Sequence, residues 1–162
     1  MPSPTARLAA ALLLLPALAA CQRETPAQRA AREAARRDAC IAGELAIAAR
    51  NRFASMDDMM RNAQAGDSPL ATAMQGPYAF ARALNDYAQT RRSALALEDS
   101  AAHAQSAKDS ARFVEEGRRF RMATPAPGTV EGNVAARWAE DFAAARRNPD
   151  HPCNKPEETA RP

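Results

Sequence analysis

At 162 residues the chain is sized for one domain, and with 46% apolar residues it has enough material for a core. Its formal charge of +3 is too small for the basic face that nucleic-acid binding requires, so no nucleic-acid partner is expected. Val and Ile are scarce, no Asn-Gly or Asp-Gly pair marks a hairpin, and no run alternates with period two; strand architectures are excluded and the expected class is all-α.

In chain order the first element is a leader. Arg7 precedes an uncharged apolar run, Leu8 to Ala20, which closes on Leu18-Ala19-Ala20-Cys21. That run is short of the roughly 20 apolar residues of a membrane span but has the length of a secretory h-region. Small residues ahead of a cysteine resemble the lipobox of bacterial lipoprotein signal peptides. The resemblance implies removal of residues 1–20, a diacylglycerol thioether on Cys21 and acylation of the new amino terminus. Gln22 stands where Asp favours inner-membrane retention, so it resembles an outer-membrane lipoprotein. The implied location is the bacterial envelope, lipid-anchored at the outer membrane and facing the periplasm.

The mature sequence, from residue 21, reads as helix almost throughout. Thr25-Pro26-Ala27-Gln28 sets a hydroxyl N-cap before a proline at N1, with Gln at N3 as in a capping box. A helical pattern then runs to about Ala63, with Ile41, Leu45, Ala48, Met56, Met59 and Ala63 along one stripe. Gly66-Asp67-Ser68-Pro69 ends it. Residues 69–75 can make two turns before Gly76-Pro77 interrupts them. From Pro77 to Met122 no proline intervenes, and Phe80, Leu84, Tyr87, Ala94, Phe113 and Phe120 predict one long second helix. Thr124-Pro125-Ala126-Pro127-Gly128 is a linker. A third helix is predicted from about Val130 to Arg147, with Val130, Val134, Trp138, Phe142 and Ala145 on a single apolar face. The four prolines after Asn148 predict a mostly disordered tail beyond Cys153. The organisation expected is a leader over 1–20, a helical domain over 21–148 and a flexible tail over 149–162 tethered by Cys153.

With Cys21 given to lipid, Cys40 and Cys153 remain in an oxidising compartment and are expected to pair. No CxxC or CxxCH arrangement offers thioredoxin-like or haem chemistry. Helix geometry agrees with the pairing. At about 1.5 Å per residue the first helix rises about 57 Å, the second descends about 68 Å and the third climbs about 26 Å, which returns Cys153 to the height of Cys40. The expected fold is therefore a three-helix, up-down-up bundle: a long antiparallel hairpin with a shorter third helix.

Few residues point to chemistry. His103 and His151 are the only histidines, and both read as surface residues. Asp57-Asp58 and Glu115-Glu116 are adjacent pairs, so their side chains diverge by about 100° on a helix. No nucleophile elbow, phosphate loop or HExxH occurs. The expectation is no enzyme, no cofactor and no catalytic residue. Two basic runs, Arg29 to Arg37 and Arg118 to Arg121, are interleaved or flanked by acids and read as solubility and pairing. Met56, Met59 and Met60 form a methionine cluster with Met74 nearby. Thioethers suit Cu(I), but packing is the commoner use, so no metal site is assigned.

A two-helix hairpin has one seam, whereas Met56, Met59, Met60, Phe80, Leu84 and Tyr87 spread over more than one face. These six are therefore the expected partner-binding or self-association surface, unless the 69–75 segment covers them. The reading that follows is a lipid-anchored periplasmic scaffold or protein-binding module. Two alternatives stay open: a pilotin-like chaperone for a partner helix, and a metal-binding or metal-stress protein using the methionines.

Overall fold

The computed structural model describes residues 24–65, 69–120 and 125–155. Cys21 and the leader lie outside the described residues, as do 156–162 of the tail. The chain divides into two compact units, residues 1–31 and 32–162. Of the first, only residues 24–31 are described, and they carry the anticipated cap. Thr25 Oγ1 accepts from the Gln28 amide at 3.2 Å, while Gln28 Oε1 accepts from the Thr25 amide at 2.8 Å. This reciprocal box satisfies two donors that a helix start leaves open.

The described residues are helical, with no strand among them. Helix α1 spans Pro26–Ala65, α2 Pro69–His103, α3 Ala107–Arg118 and α4 Val130–Arg147, and a 3-10 turn covers Pro152–Asn154. Among the described residues four helices stand where three were expected, and the second differs from its predicted bounds at both ends for two local reasons. First, α2 begins at Pro69 and runs through Pro77 without a break. The proline deletes one backbone hydrogen bond but leaves the flanking turns in register.

Second, the predicted second helix stops at His103. Ser106 takes an extended conformation (φ −129°), accepts from the Asp109 amide at 3.1 Å and donates to the Asp109 carboxylate at 2.7 Å. A Ser-x-x-Asp box therefore starts a new helix inside a stretch with no proline or glycine. The chain folds back there: a Cβ placed on Gly117 of α3 would lie 3.9 Å from the Leu97 Cβ of α2. Phe113 and Phe120, expected in the core of one long rod, are instead half-buried beyond this turn.

That reversal changes the path of the last helix. Asp38 of α1 meets Arg146 at 3.2 Å, and Ala49, further along α1, borders the same hollow as Trp138. Residue numbers on α4 therefore fall as those on α1 rise. The predicted up-down-up trace had them rising together. It lacked the return stroke made by α3, which alters the level at which α4 begins.

The core is built on alanine. Ala42, Ala46 and Ala88 are wholly inaccessible, and Ala49, Leu84, Leu95, Val134 and Trp138 join them in one cluster. The buried face of α1 is thus Ile41, Ala42, Ala46, Ala49, Met60 and Ala63, rotated from the predicted stripe, which left Ala48 and Met59 exposed. Small side chains allow the closest backbone approach, so the seam follows them rather than the larger residues. The approach is close enough for Gln89 Nε2 to reach from α2 to the Ala46 carbonyl at 3.0 Å.

Cys40 and Cys153 form a disulfide, with Cα atoms 5.7 Å apart. The residues around it make local hydrogen bonds. His151 Nδ1 accepts from the Cys153 amide at 3.3 Å and caps the 3-10 turn. Asn154 Nδ2 donates to the carbonyls of Ala145, at 2.9 Å, and Asn148, at 2.6 Å. Residues after α4 thus return to satisfy its open C-terminal carbonyls. Of the tail, residues 149–155 are described, and 156–162 lie outside the described residues.

Candidate functional site

Where α1, α2 and α4 meet, the alanine packing leaves a half-open hollow of about 230 Å³. From α1 come Leu45, Ala48, Ala49 and Arg52, spaced so that all four share one helical face. Leu84 and Ala88 of α2 supply a wall, and Trp138 and Asp141 of α4 complete the lining. Trp138 is held on both sides, by the edge of Tyr87 at 6.1 Å and the stacked ring of Phe142 at 5.8 Å. The large ring is thus fixed, while the methyl groups of Ala48 and Ala49 opposite are too short to fill the space.

Charge at the mouth is uneven. Asp141 is neutralised by its own helix, with Arg137 Nε 3.0 Å from its carboxylate. Arg52 is exposed and has no ion pair or hydrogen bond among the described residues. The opening therefore presents an apolar interior under one unspent guanidinium, a group with five donors in a fixed fork.

The six residues expected to bind a partner are mostly spent inside the fold. Met60 and Leu84 are buried at 8% and 7% exposure, Phe80 and Tyr87 pack against the core, and Met56 is half-buried. Met59 alone stands out, at 46% exposure. Met56, Met59 and Met60 thus sit in three different environments. Among the described residues, no group of three or more His, Cys, Asp or Glu is placed to hold a metal ion.

Two acids do more than the sequence indicated. Asp57 accepts from Tyr78 Oη of α2 at 2.9 Å and pairs with Arg61 Nη2 at 3.1 Å, and Asp58 meets the same nitrogen. Phe53 lies against the Tyr78 ring at 5.6 Å. The hydrogen bond to Asp57, then burial, raises the Tyr78 phenol above its ordinary 10.0; Asp58 and Asp57 raise Arg61 likewise. His103 sits with Nδ1 3.0 Å from its own helix neighbour Asp99, a local contact at the end of α2.

Arg52 and Asp141 escaped the sequence reading because neither belongs to a motif. The spacing of Leu45, Ala48 and Arg52 was a usable signal, but an alanine stripe reads as packing until the opposing wall is known. Comparison of the chain with protein families, with curated proteins and with solved structures finds no match. No helix among the described residues is long and apolar enough to cross a membrane.

Proposed function

We propose that this protein is a lipid-anchored, non-enzymatic helical scaffold or protein-binding module of the bacterial envelope, held at the outer membrane and facing the periplasm. The observation that carries the reading is the uncharged run ending in Leu18-Ala19-Ala20-Cys21, with Gln22 after it. One acyl chain gives only marginal membrane binding, and the two or three on a processed lipoprotein cysteine anchor firmly. A disulfide between Cys40 and Cys153 suits an oxidising compartment and supports the same address.

In this reading α1 and α2 form an antiparallel hairpin that carries the exposed methionine end away from the membrane. The Gln89–Ala46 and Tyr78–Asp57 contacts support the antiparallel pairing of the two helices. The partner surface centres on Met59, with Met56 half-buried on the same helix, since Met60, Phe80, Leu84 and Tyr87 are buried or packed against the core. Mass spectrometry of the membrane fraction tests the address: an acylated amino-terminal Cys21 peptide is expected, and Cys21→Ala should release the protein. A soluble mature chain beginning elsewhere ends the proposal.

A further inference from the structure

We propose that the hollow between α1, α2 and α4 binds a small amphiphilic carboxylate, a medium-length alkyl chain bearing one anionic head. The volume sets the scale. An enclosed apolar cavity of roughly 150 Å³ accepts benzene, so 230 Å³ with an open mouth takes a longer apolar group and leaves its head outside. The lining sets the chemistry of the tail: Leu45, Ala48 and Leu84 offer it no hydrogen-bonding demand, and Trp138 adds a broad apolar ring whose one polar group is the indole N–H.

The mouth sets the sign of the head. Arg52 has no counter-charge among the described residues, whereas Asp141 already holds Arg137. The free electrostatic capacity at the opening is positive. A cationic amphiphile would meet Arg52 unpaired, and a neutral one would leave its donors to water. A carboxylate takes two of those donors side by side. A partner protein's apolar side chain is the competing occupant, and charge selectivity separates the two.

Trp138 is the only tryptophan in the chain, so its emission reports on this site alone. Titrating the disulfide-intact protein with octanoate, below the concentration at which it forms micelles, should give a saturable change in Trp138 fluorescence. Octylammonium should give none, and octanol should bind more weakly. Arg52→Gln should weaken octanoate by roughly three- to fivefold, the yield of an exposed ion pair, and leave octanol unchanged. Ala48→Leu, a substitution at an exposed helical position, should fill the hollow and abolish the response while preserving helicity. Equal binding of octanoate and octylammonium overturns the proposal. So does a response that survives Ala48→Leu, or no saturable response at all. The outcome is independent of whether Cys21 is acylated.

Discussion

Two stretches of α1, the middle around Cys40 and the C-terminal end around Met60, are held by different means. Around the disulfide, Ala42, Ala46 and Ala88 pack with no accessible surface, Trp138 joins them in one cluster, and Cys40–Cys153 ties the segment after α4 back to α1. At the methionine end, α1 and α2 meet through half-buried groups: Phe53 on Tyr78, Tyr78 on Asp57, Asp57 on Arg61. Alanine permits close packing but removes little apolar area per residue, and hydrophobic stabilisation scales with area. The tight stretch therefore depends on one large ring and one covalent link, and the loose end on several weak contacts. The difference teaches that close packing alone does not stabilise a thin helical domain.

The sharpest way to break this comparison is to cut the link. With 113 residues between the cysteines, Cys153→Ser should cost about 4–5 kcal/mol in the chain-entropy account. Cys40→Ser should cost the same, and the double variant no more than either, because both remove one bond. Urea unfolding of oxidised wild type beside the variants measures this. An unchanged midpoint would mean that Asn154 and the helix contacts hold that stretch without the disulfide.

Next in size is the ring. Trp138→Ala should cost about 3–5 kcal/mol, the usual range for a buried aromatic, since Trp138 is only 5% exposed. The matching change at the other end, Phe53→Ala, should cost about 1–2 kcal/mol, its area being half in water and its gain largely the Tyr78 pair. Thermal melts of the two variants give the contrast directly. Equal losses would erase the distinction between the two stretches.

Local chemistry was legible where the signal was short-range. The Thr25–Gln28 box, the start of α4 after a Pro-Gly linker and the burial of Val134 and Trp138 all follow from spacing within a turn or two. The cysteine pair was legible too, although the path assumed for it had α4 running the wrong way along α1. What the sequence hid was competition between equally permitted states. Residues Ala101 to Ser110 are compatible with unbroken helix, and only the tertiary gain of folding α3 back on α2 selects the Ser106 cap. The hollow was illegible for a related reason. It exists because three helices bring short side chains opposite Trp138, and no single helix encodes that.

A smaller loss is expected at the turn into α4, which positions Trp138. Gly128 has φ +82°, Thr129 caps the helix by accepting from the Gly132 amide at 3.0 Å, and the Ala126 carbonyl closes over Gly132 itself. A Cβ at Gly132 would collide with that backbone carbonyl. Gly132→Ala should therefore cost about 1–3 kcal/mol as an overpacked site, despite alanine's better helix propensity. If the variant is stabilised instead, the turn yields freely and does not fix the ring.

The smallest effect belongs to the loose end and is read through pH. The Tyr78 phenol donates to Asp57, so its folded-state pKa lies above the unfolded 10.0. A raised value means that the folded chain holds the proton more tightly than the unfolded one. The hydrogen bond's contribution is therefore fully present below 10.0 and is lost as pH rises through the folded value. Tyr78→Phe, which keeps the ring on Phe53 and removes the donor, should lower the melting temperature slightly at neutral pH. Above about pH 10 the gap between wild type and variant should narrow, because wild type has lost the same bond. Melts across that alkaline range check the sign. A gap that widens there would show that ionised Tyr78 is the favoured partner, with Arg61 rather than Asp57 governing that end of the molecule.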